Sequence, residues 1–369
     1  MNNTKVARIA SMIGIIAFIA IIGMSISACN RGAGGGIGKK KFTWTAITNE
    51  QSGLAVDTQL FNIVYGNGNF VALKYNEFGE MAHSADGITW TELNQQQTTF
   101  DYSINGIIWG NDKFVAIGNE TMAYSSDGKT WTAIAHRSAF NRRTSGRFED
   151  ITWGNGKFVA SVSDGRMAYS SDGVAWTFIS AVQSTFGDGG TFGWILRLAY
   201  GNDKFIAMAS SPTGSEGSKI AYSADGINWT ESSTANVKLL PGSRFFYGCD
   251  KIVWANDKFI GAKGSQLLFS PDGLAWSYVE EEIFRVSASR LSRISGITWG
   301  NGIYVAGGQF GRIATSPDGI AWTVLPEEQN IFTDNMGIHG LIYANDKFIA
   351  TGGISRSGGD GIIAIGEYK

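Results

Sequence analysis

The sequence predicts an all-β chain, a seven-bladed β-propeller of four-stranded antiparallel blades, and three observations carry that prediction. A phrase of aromatic residue, small residue and Asn returns seven times. A second phrase, Ser-x-Asp-Gly-x-x-Trp, returns six times in step with it. Short apolar runs between them are punctuated by Asn-Asp, Asn-Gly and Asp-Gly, the dipeptides that tight hairpins need because they accept positive φ. The chain has 369 residues, 43% hydrophobic, with 22 Phe, 12 Trp and 12 Tyr, enough apolar mass for one large β-domain.

Composition also excludes several classes. Gly is 49 and Pro only 5, which is neither collagenous nor Pro-rich disorder. A net charge of −2 gives no electrostatic case for nucleic acid. Two Cys exclude a disulfide framework and three His argue against a His-rich metal site. No cofactor motif is present: there is no Gly-x-Ser-x-Gly, phosphate loop, zinc motif or EF-hand spacing.

Residues 1–8 carry Lys5 and Arg8 without an acid, and residues 9–28 form an uncharged, mostly apolar run of 20. That run reads as an export signal or as an uncleaved anchor, and either one exports the remainder of the chain. Ile26-Ser27-Ala28-Cys29 resembles the bacterial lipobox. The resemblance implies a signal peptide over 1–28 and a lipid (palmitate-type) anchor on Cys29 as the mature N-terminus. It places the chain in the cell envelope, inner or outer membrane undetermined. Residues 29–41 are Gly-rich and end in Lys39, Lys40 and Lys41, a flexible tether with a basic patch for anionic headgroups. Cys249 then has no partner and reads as an inert thiol in an apolar segment.

Residues 42–369 hold the repeat. Its first phrase starts at Tyr65, Trp109, Trp153, Tyr200, Trp254, Trp299 and Tyr343, with spacings of 44, 44, 47, 54, 45 and 44. The second occupies 84–90, 125–131, 170–176, 223–229, 270–276 and 316–322. In the second unit this predicts strands over 103–109, 113–118, 121–125 and 130–134. The seventh unit lacks a fourth strand, and Thr43-Trp44-Thr45-Ala46-Ile47 repeats Thr130-Trp131-Thr132-Ala133-Ile134 residue for residue. The N-terminal strand is therefore expected to complete the last blade and leave no open edge. The recurring aromatics read as inter-blade packing, with Trp194 off the pattern.

The Ser-x-Asp-Gly-x-x-Trp phrase resembles the Asp-box, or BNR repeat, of sialidase-like propellers, also found in the photosystem II assembly-factor group. In physical terms its Asp accepts turn N–H groups, its Gly takes the left-handed position and its Trp packs inward, so Asp86, Asp127, Asp172, Asp225, Asp272 and Asp318 read as structural. The sialidase resemblance would imply a glycoside hydrolase, but the Arg-Ile-Pro signature is absent and no catalytic residue maps by motif.

Strand order puts the short turns on one face and the variable loops on the other, with 135–147, 178–193, 210–218, 231–247, 278–292, 324–337 and 354–360 as the recognition candidates. Near the start of the first strands, blades three to five bring Glu149, Asp150, Arg197, Asp250 and Lys251 towards the tunnel mouth on that face. Mutual ion pairing around a wet tunnel is one reading. The other is an anion- or sugar-binding mouth, with Arg197 and Lys251 as donors and Trp194 as a stacking platform. Glu149 and Asp250 are a conceivable acid/base pair. His136, Arg137, Arg142, Arg143 and Arg147, against Glu280, Glu281 and Glu282, would give the face a basic and an acidic side. His83 falls in a column of aromatics and reads as packing. The expected molecule is a monomeric, non-catalytic recognition platform for a protein or glycan, with a glycoside hydrolase as the alternative.

Overall fold

Each aromatic-small-Asn phrase ends in a two-residue hairpin turn whose central residues both sit at positive φ, such as Asn111 at 46° and Asp112 at 54°. That is the backbone of a type I′ turn, whose twist matches the strands it joins. Repeated around the chain, these turns build seven four-stranded antiparallel sheets in a computed structural model. It describes residues 41–75, 79–119, 121–134, 147–163, 165–186, 195–209, 219–232, 250–287, 290–354 and 360–369. Residues 1–40, which include the expected signal segment and Cys29, lie outside the described residues, as do Trp194, Cys249, His136, Arg137, Arg142 and Arg143.

The second blade consists of Ile104–Gly110, Lys113–Gly118, Met122–Ser125 and Thr132–Ile134, paired in that order. In the seventh, Met336–Ala344, Lys347–Ile354 and Gly361–Tyr368 are joined by Phe42–Ile47 at the outer edge. Phe42 faces Tyr368 and Ile47 faces Ile363 across an unbroken antiparallel register. The N-terminal strand thus closes the ring, as the repeated Thr-Trp-Thr-Ala-Ile phrase requires. Phe42 and Trp44 are buried there against Phe348 and Phe332.

The core is divided between blades rather than gathered at one centre. Each apolar cluster joins neighbouring sheets, as where Val71, Leu73 and Met81 of the first blade meet Ile107, Phe114 and Trp131 of the second. A second-strand aromatic is the hub: Phe114 is fully buried, with its ring 4.6 Å from Trp109 and 6.5 Å from Trp131. The small residue of the phrase has a packing cause. A Cβ on Gly154 would come within 1.9 Å of the ring of Tyr200 in the next blade.

The Ser-x-Asp-Gly-x-x-Trp turns behave as their chemistry predicts. Asp86 Oδ1 accepts the N–H groups of Ile88 and Thr89, both at 2.8 Å, and the Ser84 hydroxyl at 3.0 Å. Ser84 Oγ in turn accepts from Gly87 N at 2.8 Å, and Gly87 sits at φ 75°. Neighbouring turns are clipped together. Asn67 donates to the carbonyl of Ser126 at 3.0 Å, and Lys347 of the last blade reaches the carbonyl of Asp86 in the first at 3.0 Å.

The links between blades are more ordered than an uneven loop length implies. Among the described residues three carry a one-turn α-helix, Asn49–Ser52, Gln95–Thr98 and Ala181–Ser184. Thr48 with Gln51, and Asn94 with Gln97, form reciprocal capping boxes. Just beyond each helix an apolar side chain is buried: Leu54, Phe100 and Phe186. The first halves of these three links are therefore repeated plugs.

Candidate functional site

In six of the seven blades a β-bulge stands beside the residues of the tunnel mouth. There the first-to-second strand register slips near the start of the first strand, as between Phe148 and Asp150 or Ile195 and Arg197. An extra residue in one strand re-aims the side chains beside it. Polar residues that would break an apolar strand are thereby delivered to a central cavity of about 570 Å³.

Four of the expected mouth residues line that cavity: Asp150, Arg197, Asp250 and Lys251. Asp150 accepts from the N–H of Ile151 at 3.0 Å and, across the blade boundary, from the N–H of Leu198 at 2.7 Å. Burial pushes its carboxyl above the usual range, against the pull of Arg197 and Lys251. Asp250 is 7% exposed, and its Oδ2 accepts from Gly264 N at 2.7 Å. Its Oδ1 takes the guanidinium of Arg293 through Nε at 2.6 Å and again through a terminal nitrogen. Burial raises this carboxyl too, with the Arg293 hydrogen bond and charge opposing. Arg197 Nε donates to the Asp250 carbonyl at 2.8 Å.

Glu149 is placed differently. It occupies the bulge between Phe148 and Asp150, is 8% exposed and is not among the residues lining the cavity. Arg147 holds both its oxygens, at 2.7 and 3.1 Å. The bulge turns Asp150 to the tunnel and Glu149 away, so the structure does not bring Glu149 and Asp250 together as an acid/base pair.

Two contributors to the mouth are not signalled by the sequence pattern. Arg293 precedes its strand by one residue, outside the aligned columns, and no spacing ties it to Asp250. On the opposite side, Tyr75 is 46% exposed, stacks on His339 at 5.2 Å and 24°, and meets the edge of Phe61 at 5.9 Å. All three line the cavity. His339 Nδ1 is buried with no hydrogen-bond partner among the described residues, and burial lowers its pKa. The polar column signals His339 by contrast with its apolar neighbours, but only the ring's closure sets it beside Tyr75 of the first blade. The mouth therefore has an aromatic shelf on blades seven and one and a charged arc on blades three to six. Elsewhere on the long-loop side, Glu282 pairs with Arg285, while Glu280 and Glu281 stay exposed. His83 is half-buried and pairs with Val71 in register, within the aromatic column.

No family model matches the sequence, and no curated protein matches it. Solved structures do match. YCF48 from Cyanidioschyzon merolae aligns with a TM-score of 0.59 at 17% identity, over 88% of this chain and 98% of that one. YCF48 bound to a D1 peptide gives 0.58 at 15% identity, over 88% and 96%. The extracellular domain of a putative one-component system from B. thetaiotaomicron gives 0.59 at 8%, over 88% of this chain and 40% of that one. The likeness is one of fold.

Proposed function

We propose that this chain is an exported lipoprotein, held in the cell envelope by a lipid on Cys29, whose Asp-box propeller is a non-catalytic recognition platform for a protein or glycan. The observation that carries the reading is the two-sided mouth. An exposed aromatic shelf at Tyr75 faces guanidinium and ammonium groups of Arg197, Arg293 and Lys251 across a preformed cavity. Rings accept apolar or sugar faces, and cations accept carboxylates, so the pair fits an extended acidic segment better than either feature alone. Hydrogen bonds between blades hold the charged arc, so little ordering is left for binding to offset. The peptide-bound YCF48 structure supports a peptide as one class of partner for this architecture. Trp194, the platform expected from sequence, lies outside the described residues, and Tyr75 takes that role in this reading.

A glycoside hydrolase has one observation in its favour, two cavity carboxylates, Asp150 and Asp250, both pushed upward by burial. Each is already tied to backbone N–H groups, which suits a structural part in the ring.

Affinity capture from native membranes with the full chain in detergent tests the platform. The expected result is a defined component whose retention falls about tenfold or more, roughly 1.4 kcal/mol or more, with Tyr75→Ala and with Arg197→Ala. Retention unchanged in both variants would remove the mouth from the proposal. Turnover of fluorogenic glycosides that is abolished by Asp150→Asn would replace it with the hydrolase.

A further inference from the structure

The direction of the closing strand assigns a side of the propeller to the membrane. Phe42 lies opposite Tyr368, whose carbonyl accepts from Asn301 in the hairpin turn of blade six at 2.9 Å. Lys41 and Lys369 exchange backbone hydrogen bonds just beyond. The strand thus begins at the short-turn face and runs away from it, so the chain before Lys41 joins the domain at that face.

The same face carries a repeated apolar position that the fold leaves wholly or partly open to solvent. The residue after Asp-Gly in the Ser-x-Asp-Gly-x-x-Trp turns is Ile88, Val174, Ile227, Leu274 or Ile320 in five blades, and Lys129 in the sixth. Five large hydrophobic side chains are exposed among the described residues, and two of them, Val174 at 38% and Ile320 at 42%, hold this place. Ile88, Ile227 and Leu274 are half-buried. Lys129 shows that the turn itself accepts a charged side chain there. Isolated surface aliphatics need no explanation, but the same one on turn after turn of one face does. The Asp carboxylates beside them are folded back onto their own backbone N–H groups, as Asp172 is onto Val174 and Ala175 at 2.8 Å.

We propose that the short-turn face rests on the bilayer, with Ile320, Val174 and their equivalents in the headgroup–acyl boundary, and that the tunnel mouth points away from the membrane. This rests on the lipid-anchor reading above. The tether's length favours the orientation. Thirteen Gly-rich residues have a root-mean-square span of about 20 Å. A first strand of seven residues is itself about 23 Å long. Inverting the domain would stretch the tether beyond its relaxed span merely to climb back along one blade. Partners of the mouth then come from the aqueous side or from another envelope layer, not from the bilayer that holds the anchor.

The test uses the full chain, with a Cys249→Ser background, on vesicles of phosphatidylethanolamine and phosphatidylglycerol at 3:1. An environment-sensitive fluorophore is placed at Ile320→Cys or, on the long-loop side, at Tyr102→Cys. Flotation is scored first, then quenching by lipids spin-labelled near the headgroup. The expected result is a fluorescence rise of about twofold or more and strong quenching at position 320, with neither at 102. Chain that floats while position 320 stays unquenched, or with position 102 quenched at least as strongly, overturns the orientation and leaves the anchor standing. Chain that fails to float overturns both.

Discussion

Asp225 shows how much one carboxylate does in a turn of seven residues. Burial works to raise its pKa, but the N–H groups of Asn228 and Ile227, the Asn228 amide and the Ser223 hydroxyl outweigh it and hold the value at about 2, against 3.8 unperturbed. The equivalent Asp86, Asp127, Asp172, Asp272 and Asp318 are all lowered as well. A depressed folded value means stability that is present above the unfolded value and lost as pH falls through the folded one. Thermal midpoints are therefore expected to hold steady from pH 7 to about 5 and to drop between about pH 4 and 2. Asp225→Ala should flatten part of that drop and cost about 1–3 kcal/mol at pH 7 by urea unfolding, because it orphans several donors. A variant with wild-type stability and an unchanged acid limb would contradict the assignment.

Close approach is the other residue-scale constraint. Tyr200 presses on Gly154, where a Cβ would stand 1.9 Å from its ring. Gly154→Ala should cost about 1–3 kcal/mol through overpacking. Ala already fills the corresponding positions 255 and 344, where Ala255 packs with Trp299 and Ala344 with Tyr65. Ala344→Gly should thus cost less than Gly154→Ala in the same unfolding experiment. Equal effects would mean that contact with the next blade's ring does not set this position.

At the scale of elements, the hairpins are legible in the sequence because the turn dipeptide and the strand period are local. Asn-Asp or Asn-Gly demands two positive φ values, and the flanking strands come from short apolar runs. The link helices are harder to see, although Thr48-x-x-Gln51 and Asn94-x-x-Gln97 spell capping boxes. Four residues are too few for a 3.6-residue period to register, and uneven loop length hides the repeat. The fourth strand of the second blade, Thr132–Ile134, is shorter than the 130–134 that the sequence predicts. Thr177–Phe178 and Thr323–Val324 are only two residues, because the preceding turn holds its Trp out of the ladder. The bulges escape the pattern for a similar reason: one extra residue alters which way side chains point without altering composition. That is why Glu149 and Asp150, adjacent in sequence, part company in space.

For the whole molecule, ring closure is the test of everything built on it. Deleting residues 42–47, so that Lys41 is joined to Thr48, removes the outer strand of the last blade along with buried Phe42 and Trp44. Two such side chains are worth several kcal/mol, so the melting temperature of the full chain should fall by about 10 °C or more. An unchanged melting temperature would show that the last blade does without this strand.

The blade count, the strand order, the closing strand and the six structural aspartates could be read in the chain alone, since each comes from a local phrase recurring at a near-constant interval. The tertiary structure decided what lies opposite what. It set Arg293 on Asp250, Tyr75 on His339 and Arg147 on Glu149, and it set the start of the closing strand beside the short turns. The physical reason is that these pairings depend on blade rotation, strand direction and bulges, which act between segments distant in sequence and leave no period behind.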